Sequence, residues 1–306
     1  MLASATASWA QDALRVPQDY PTIQAAIDAA APGASVVVAS GTYFENLVVD
    51  KSVTLVARSG AAVTTLDGGR IGRVIFARGT GEESVTIVGF TIANGLSLES
   101  MSVPAAGSGG GIYLGSLAGA TLRDNVIRDN VGCIGVGVSA LDVTVSVVHN
   151  EIRRNLQDSS CTQADGGGIN VQNATAEIRD NDIRDNAASS GGGIAFDLSD
   201  GVISDNLLIR NSAEVGGALR LLAMDGKHVV VSGNTLLDNR ATIDATAVHL
   251  IPIPDDALRM RGNTISGDGA VELIRCETPF AVSRSNALRN AAGPTVAGLC
   301  TFGLVF

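Results

Sequence analysis

NVIRDN (Asn125–Asn130), NEIRRN (Asn150–Asn155), NDIRDN (Asn181–Asn186), NLLIRN (Asn206–Asn211) and NTLLDN (Asn234–Asn239) are copies of one phrase, Asn-x-[Ile/Leu]-x-x-Asn. A decayed copy, NTISGD, begins at Asn263, and successive starts lie 25, 31, 25, 28 and 29 residues apart. A period of this length with variable insertions marks units that must stack, because no single unit can bury its apolar side alone. Between the Asn phrases runs a second motif of small residues followed by apolar-x-apolar. It reads GGGIYL at Gly109, GVGV at Gly135, GGGINV at Gly166, GGGIAF at Gly191 and GGALRL at Gly216, with weaker forms TAVHL at Thr246 and GAVEL at Gly269.

Alternation over three to five residues is the strand period, which sends alternate side chains to opposite faces. The expected inward pairs are Ile112/Leu114, Val136/Val138, Ile169/Val171, Ile194/Phe196, Leu219/Leu221, Val248/Leu250 and Val271/Leu273. The Asn phrase adds Ile127, Ile152, Ile183, Leu208, Leu236 and Ile265. Each unit thus carries two or three short strands, and units wind as a coil stacked at about 4.8 Å into parallel sheets. The Asn columns are expected to be ladders, each amide bonding its equivalents above and below, with Asn also tolerating a left-handed corner. The Gly runs lack the strand-GxGxxG-helix setting of a nucleotide site.

The N-terminal part differs. After Pro21, Ile23, Ala26, Ile27 and Ala30 follow helical spacing until Pro32-Gly33, predicting an amphipathic helix of about ten residues. Such a helix is placed to cap the open end of the first coil. At the other end, the Cys276–Cys300 segment and the final Leu304-Val305-Phe306 are expected to close the stack.

Composition supports many strands with tight corners: 306 residues contain 36 Gly and only 8 Pro, and aromatics make up 4%. The formal charge of −10, with Lys51 and Lys227 as the sole lysines, leaves no cationic groove for nucleic acid. It also opposes unaided binding of a polyanion, which a bridging Ca²⁺ would ease. No apolar run is long enough for a membrane span. MLASATASWA at the N-terminus resembles the end of an export leader, so residues 1–15 are read as a leader remnant or disordered segment. Residues 16–306 are read as one domain, expected to be a monomer that is secreted, periplasmic or on the cell surface. Cys133 and Cys161 are 28 apart and Cys276 and Cys300 are 24 apart, each about one repeat. Neighbour pairing into two disulfides fits the repeat best, with buried thiols as the other reading.

The stretch Val16–Ala57, with TIQAAIDAA, VVVASGTYFENLVV and SVTLVA, resembles the opening of the pectin-lyase-like superfamily, most closely that of pectin methylesterases. Together with the GGGI and NxIxxN units, the resemblance covers nearly the whole chain from Val16. It implies an all-β, single-domain right-handed parallel β-helix. Its functional implication is broad, since this opening occurs in lyases, epimerases, hydrolases and non-catalytic surface proteins. The Gln-Asp-Thr-Leu, Asp-Phe-Ile-Phe-Gly and Gly-Arg-Pro-Trp phrases of the methylesterases are absent. So are the Asn-Thr-Asp and Gly-His-Gly phrases of polygalacturonases, the Trp-Ile-Asp-His phrase of pectate lyases and the Asp-Pro-His phrase of alginate epimerases.

Ligands of such a fold lie along an outer sheet face. The outward middle positions of the GGGI strand read Tyr113, Gly137, Asn170, Ala195, Arg220, His249 and Glu272, with Gln172 and Asp197 two residues further on their strands. Arg220, His249 and Asp197 are the catalytic candidates: a planar fork suits a substrate carboxylate or hydroxyl, and a histidine is easily tuned near neutral pH. Tyr113, Asn170, Gln172 and Glu272 are the binding candidates, and Asp197 or Glu272 would carry any calcium that neutralises a uronic acid. A solvated strand face is also polar without any ligand. Asp197 and Glu272 stand three coils apart, about 14 Å, too far for a glycosidase pair, which needs roughly 5–9.5 Å; Asp165 remains as a closer partner. The functional expectation is an exported β-helix that binds, and in the catalytic case cleaves or remodels in a lyase-like or epimerase-like way, an acidic polysaccharide or cell-surface glycan. The alternative is a non-catalytic adhesive scaffold.

Overall fold

The computed structural model describes residues 13–223, 226–251, 257–267, 271–291 and 293–303. Within them the period of the sequence becomes a coil of short strands, every named pairing of which is parallel. One stack of strands carries the GGGI phrases, for example Ile169–Gln172, Ile194–Asp197, Leu219–Leu222 and Val248–Ile251. A second stack holds Ala34–Val38, Val53–Ala57, Ser84–Val88, Thr175–Arg179, Asp200–Ser204, Val229–Ser232 and Leu258–Arg261. The strands Ile112–Arg123 and Val138–Val148 run through both stacks and join them into one sheet of 18 strands. The third stack is the 10-stranded sheet of Asn phrases.

The Asn-phrase residues Ile127, Ile152, Ile183, Leu208, Leu236 and Ile265 pair in one register line and are all buried. They meet the inward residues of the other stacks in a single apolar core that runs along the coil. Two inward pairs differ from the alternation read off the sequence. Val138, not Val136, aligns with Ile112 and Ile169, so the pair is Val138/Ala140 and the outward residue is Ser139 rather than Gly137. In the last full coil Ile274/Cys276, not Val271/Leu273, align with Val248/Leu250. The turn ahead of Val138 has the same length as its neighbour, Gly135 to Val138 matching Gly166 to Ile169, but Val136 stands where Gly167 does. In the last coil Leu273 directly precedes Ile274 as Ala247 precedes Val248, so an apolar turn residue mimics a strand position. With a period of two, a frame error re-aims every outward side chain.

Two asparagine ladders run through the corners. In the first, Asn125, Asn150, Asn181, Asn206, Asn234 and Asn263 each donate Nδ2 to the Oδ1 of the next, at 2.8–3.1 Å, and the line ends on Asn286. The second joins Asn130, Asn155, Asn186, Asn211 and Asn239. The left-handed backbone falls on the residue before the Asn, as at Asp124, Asp180, Asp205 and Arg210, not on the Asn itself. That arrangement keeps the amide pointing inward to its ladder while the preceding charged side chain turns to solvent.

The N-terminal helix spans Ile23–Ala29, shorter than expected. Thr22 caps it by accepting from Ala25 N–H, and Ala30 is already extended ahead of Ala31-Pro32, which disfavours further helix. Its buried face of Ile23, Ala26 and Ile27 joins the end of the core. The sheet begins at Leu14–Val16, paired with Val36–Val38, so it takes in two residues before Val16. Both expected disulfides are present, Cys133–Cys161 and Cys276–Cys300, with Cα atoms 5.5 and 5.1 Å apart. Met1–Asp12 and Leu304–Phe306, which hold most of the expected leader and the expected closing residues, lie outside the described residues.

Candidate functional site

The outward column of the GGGI stack is set by register, and its chemistry changes along the axis. Val48, Phe76 and Tyr113 form an apolar third; Ser139, Asn170 and Ala195 a small, neutral third; Arg220, His249 and Arg275 a charged third. Phe76 and Tyr113, being vertical neighbours, stack with ring centroids 5.3 Å apart and an interplanar angle of 20°. A side chain at Gly115 would collide with the Tyr113 ring, its Cβ lying 2.6 Å from Tyr113 Oη, so this glycine gives the ring its seat. Burial raises the Tyr113 hydroxyl pKa above the ordinary value.

Arg220 is the centre of the charged third. Its Nη1 donates to both Asp197 oxygens, at 2.9 and 2.7 Å, and lies 3.5 Å from Asp165 Oδ1. Asp197 belongs to the preceding coil and Asp165 to the one before that, so the guanidinium leans back along the axis across the buried Ala195. Only a methyl-sized residue at position 195 leaves that path open. The Arg220 side chain is 14% exposed, and its Nε and Nη2 hydrogens meet no protein acceptor among the described residues. Burial pushes the Asp197 carboxyl above the ordinary aspartate pKa, Arg220 pulls it down, and Asp165 adds to the rise. Asn170, two coils from Arg220, is 3% exposed and makes no hydrogen bond with its amide among the described residues. Gln172 is exposed on the same strand.

His249 is one register step from Arg220 yet belongs to a different cluster. Its Nε2 meets Glu277 Oε1 at 3.1 Å, while Nδ1 is buried without a partner. Gly216, at φ 63°, crosses close over this residue: a Cβ there would lie 3.2 Å from His249 Cβ. The hydrogen bond from His249 lowers the Glu277 pKa, with Arg275 adding to it. Arg275 also reaches Asp244 at 3.1 Å and Glu272 at 3.2 Å.

Register places Arg220, Asn170 and Tyr113 in the outward column and Asp197 and Gln172 two residues further along their strands, Gln172 exposed. Glu272 does not take the column position assigned to it. Its carbonyl accepts from Thr246 N–H, below the strand, and Arg275 occupies the place beside His249. The carboxylate of Glu272 serves as a partner of Arg275 instead. Sequence reasoning misses Glu277, Asp244 and Arg275; framing the last repeat as Ile274-Arg275-Cys276 finds the arginine. Among the described residues no group of three or more His, Cys, Asp or Glu side chains is placed to hold a metal ion. No helix among them is long and apolar enough to cross a membrane.

The family described as the right handed beta helix region matches residues 153–275, which include Arg220, His249 and Arg275 and the middle of both ladders. The chain is a right-handed parallel β-helix. Among solved structures it is similar to the A-module of the mannuronan C-5 epimerase AlgE4 from Azotobacter vinelandii. That match has 18% identity, covers 92% of this chain and 94% of that one, and has a TM-score of 0.36. At that distance the likeness carries nothing about substrate. No curated protein sequence matches the chain.

Proposed function

We propose that this β-helix is an exported protein that binds an acidic polysaccharide in the groove over Asn170, Ala195 and Arg220. The observation that carries the reading is the state of Arg220. Asp197 fixes one nitrogen of its fork, and the remaining donors stay without acceptors in a recessed floor. A preorganised guanidinium edge suits a uronate carboxylate or a pair of vicinal hydroxyls. Asn170, with both halves of its amide uncommitted, supplies a donor and an acceptor about two coils away, roughly 9–10 Å along the axis. A sugar chain lying along that axis would meet both. The two disulfides favour an oxidising compartment.

Any bond cleavage in this groove would run through Asp165 and Asp197 rather than His249. The two carboxylates approach one Arg220 nitrogen at 3.5 and 2.7 Å, so those oxygens are at most about 6 Å apart, a span that admits the separation of a retaining pair but not that of an inverting one. Asp197, with its raised pKa, is the acid of such a pair. A specific observation favours the non-catalytic reading, a surface or adhesive scaffold: Asp197 is held in an ion pair with Arg220 and His249 in a hydrogen bond with Glu277 within the fold.

The test is a glycan array followed by calorimetric titration of the best hits, with reducing-end and unsaturated-uronide assays on the same ligands. Binding of oligouronates that Arg220→Ala weakens at least tenfold, with Asn170→Ala also weaker, supports the glycan reading. An array with no hits, or hits indifferent to both variants, leaves the scaffold. Product release abolished by Asp197→Asn would add catalysis.

A further inference from the structure

The apolar third of the column opens into a cleft that the polysaccharide reading does not use. Its volume is about 380 Å³, and it lies between Val48, Phe76, Ile71, Leu96, Met101 and Val103. Three of these apolar side chains are unusually open: Ile71 is 77% exposed, Val48 51% and Val103 43%. The wall beyond them is the loop after Ser97, which two unrelated anchors hold in place. Glu99 accepts from Thr162 N–H, Thr162 Oγ1 and Gln163 N–H, tying the loop to the insertion that carries Cys161. Arg73 donates Nη1 to Pro104 O at 2.8 Å, and Nη2 to Ser97 Oγ at 3.0 Å and Ala105 O at 2.8 Å.

Arg73 lines the cleft and is only 8% exposed, yet no carboxylate among the described residues lies within ion-pair distance of it. Its guanidinium carbon stands 4.9 Å from the Phe76 ring centroid and 5.5 Å from that of Tyr113. Pro104 O, Ser97 Oγ and Ala105 O take three of its five N–H donors, leaving Nε–H and one Nη1–H without a protein acceptor among the described residues. The ring faces lower the cost of its charge without bringing a countercharge. Arg220 and Arg275, the two arginines of the outward column, each have a carboxylate. A buried cation without an anion, on the wall of an otherwise apolar cleft, is what a site for an apolar anion requires. A sugar fits poorly, because the lining offers almost no partners for its hydroxyls.

We propose that this cleft binds a small apolar carboxylate, an aryl or short acyl acid, with its carboxylate on Arg73 and its apolar body between Phe76, Ile71 and Val103. The site is independent of the Arg220 groove, and the volume admits one such ligand.

The test uses 2-naphthoate as probe on the full chain, followed by NMR or calorimetric titration, with neutral 2-naphthamide for comparison. The expected result is saturable one-site binding of the naphthoate and at least tenfold weaker binding of the amide, as loss of a charge-assisted contact implies. Val103→Asp, a change at a half-open position, is expected to abolish naphthoate binding with the melting temperature unchanged. Arg73→Met is expected to erase the preference for the acid; where that variant loses its loop, Val103→Asp decides. No saturable binding, equal affinity for acid and amide, or naphthoate binding untouched by Val103→Asp would overturn the proposal.

Discussion

Replacing Asn181 by Ala removes an inner rung of the longer ladder, and the consequence can be worked from the hydrogen bonds around it. Asn181 Nδ2 donates to Val147 O, Arg179 O and Asn206 Oδ1 at 2.8–2.9 Å. Its Oδ1 accepts from Asn150 N–H at 2.9 Å and Asn150 Nδ2 at 3.1 Å. The residue is 2% exposed, so water does not readily replace what is removed. Alanine strands the Asn150 N–H and strips a donor from Val147 O and from Asn206 Oδ1. Counting those three partners at about 1–1.5 kcal/mol each, the cost is about 3–5 kcal/mol, or on the order of 10 °C in melting temperature. Asn181→Asp keeps the shape but faces Asn206 Oδ1 with a second oxygen, so at neutral pH it is expected to be worse than alanine. Its stability should rise as pH falls and the buried carboxyl protonates. Urea unfolding followed by circular dichroism at pH 7 and pH 4.5 measures both. A loss under about 1 kcal/mol for Asn181→Ala, or an Asn181→Asp protein indifferent to pH, would refute the claim that the ladder stabilises the coil.

Other side chains give further expected outcomes. Arg154, with Arg128, holds the Asp129 carboxyl down at about 2, so its ion pairs stabilise the fold above the unfolded aspartate value of about 3.9. That stability is lost as pH falls through the folded pKa: the deficit of Asp129→Asn, up to about 2 kcal/mol at pH 7, should vanish near pH 2 in acid titrations. Cys276→Ser with Cys300→Ser unties Ile274–Ser283 from Val296–Gly303; hydrogen exchange should rise in those two strands while the ladder strands stay protected. Thr22→Ala removes the helix cap and should cost about 1 kcal/mol in urea unfolding, with no change in any binding to the Arg220 groove. Ala195→Leu fills the path along which Arg220 leans and should cost about 1–3 kcal/mol by overpacking, together with the loss of any glycan affinity that Arg220→Ala also removes.

How far the chain can be read depends on whether a feature repeats. Ile183 and its equivalents, the disulfide partners and the Asn columns recur every coil, so spacing alone locates them. Asn286 is hidden because its phrase, Asn286-Ala287-Leu288-Arg289-Asn290, is one residue short. The frame slips at Val136 and Val271 have another cause: Val136 and Leu273 are apolar residues in the turn, where Gly167 and Ala247 stand in neighbouring coils, and they extend the apparent alternation ahead of the strand. Tyr113, Asn170, Asp197 and Arg220 fall where the alternation puts them because the glycines before their strands fix the frame. Asp165, Arg275 and Glu277 enter the site from a turn and an irregular final coil. Arg73 and Phe76 lie before the repeat becomes regular.

The residues themselves determined the coil, its inward columns and its polar ladder, because the stacking of like units is a periodic problem and periodicity is visible in one dimension. Tertiary structure alone decided which charges meet. Arg220 reaches back across two coils to Asp165, His249 pairs with Glu277 rather than with its register neighbour, and Arg73 turns under the loop after Ser97. Long side chains span more than one coil spacing, and insertions obey no period. Their partners are fixed only when neighbouring coils and loops come to occupy the same space.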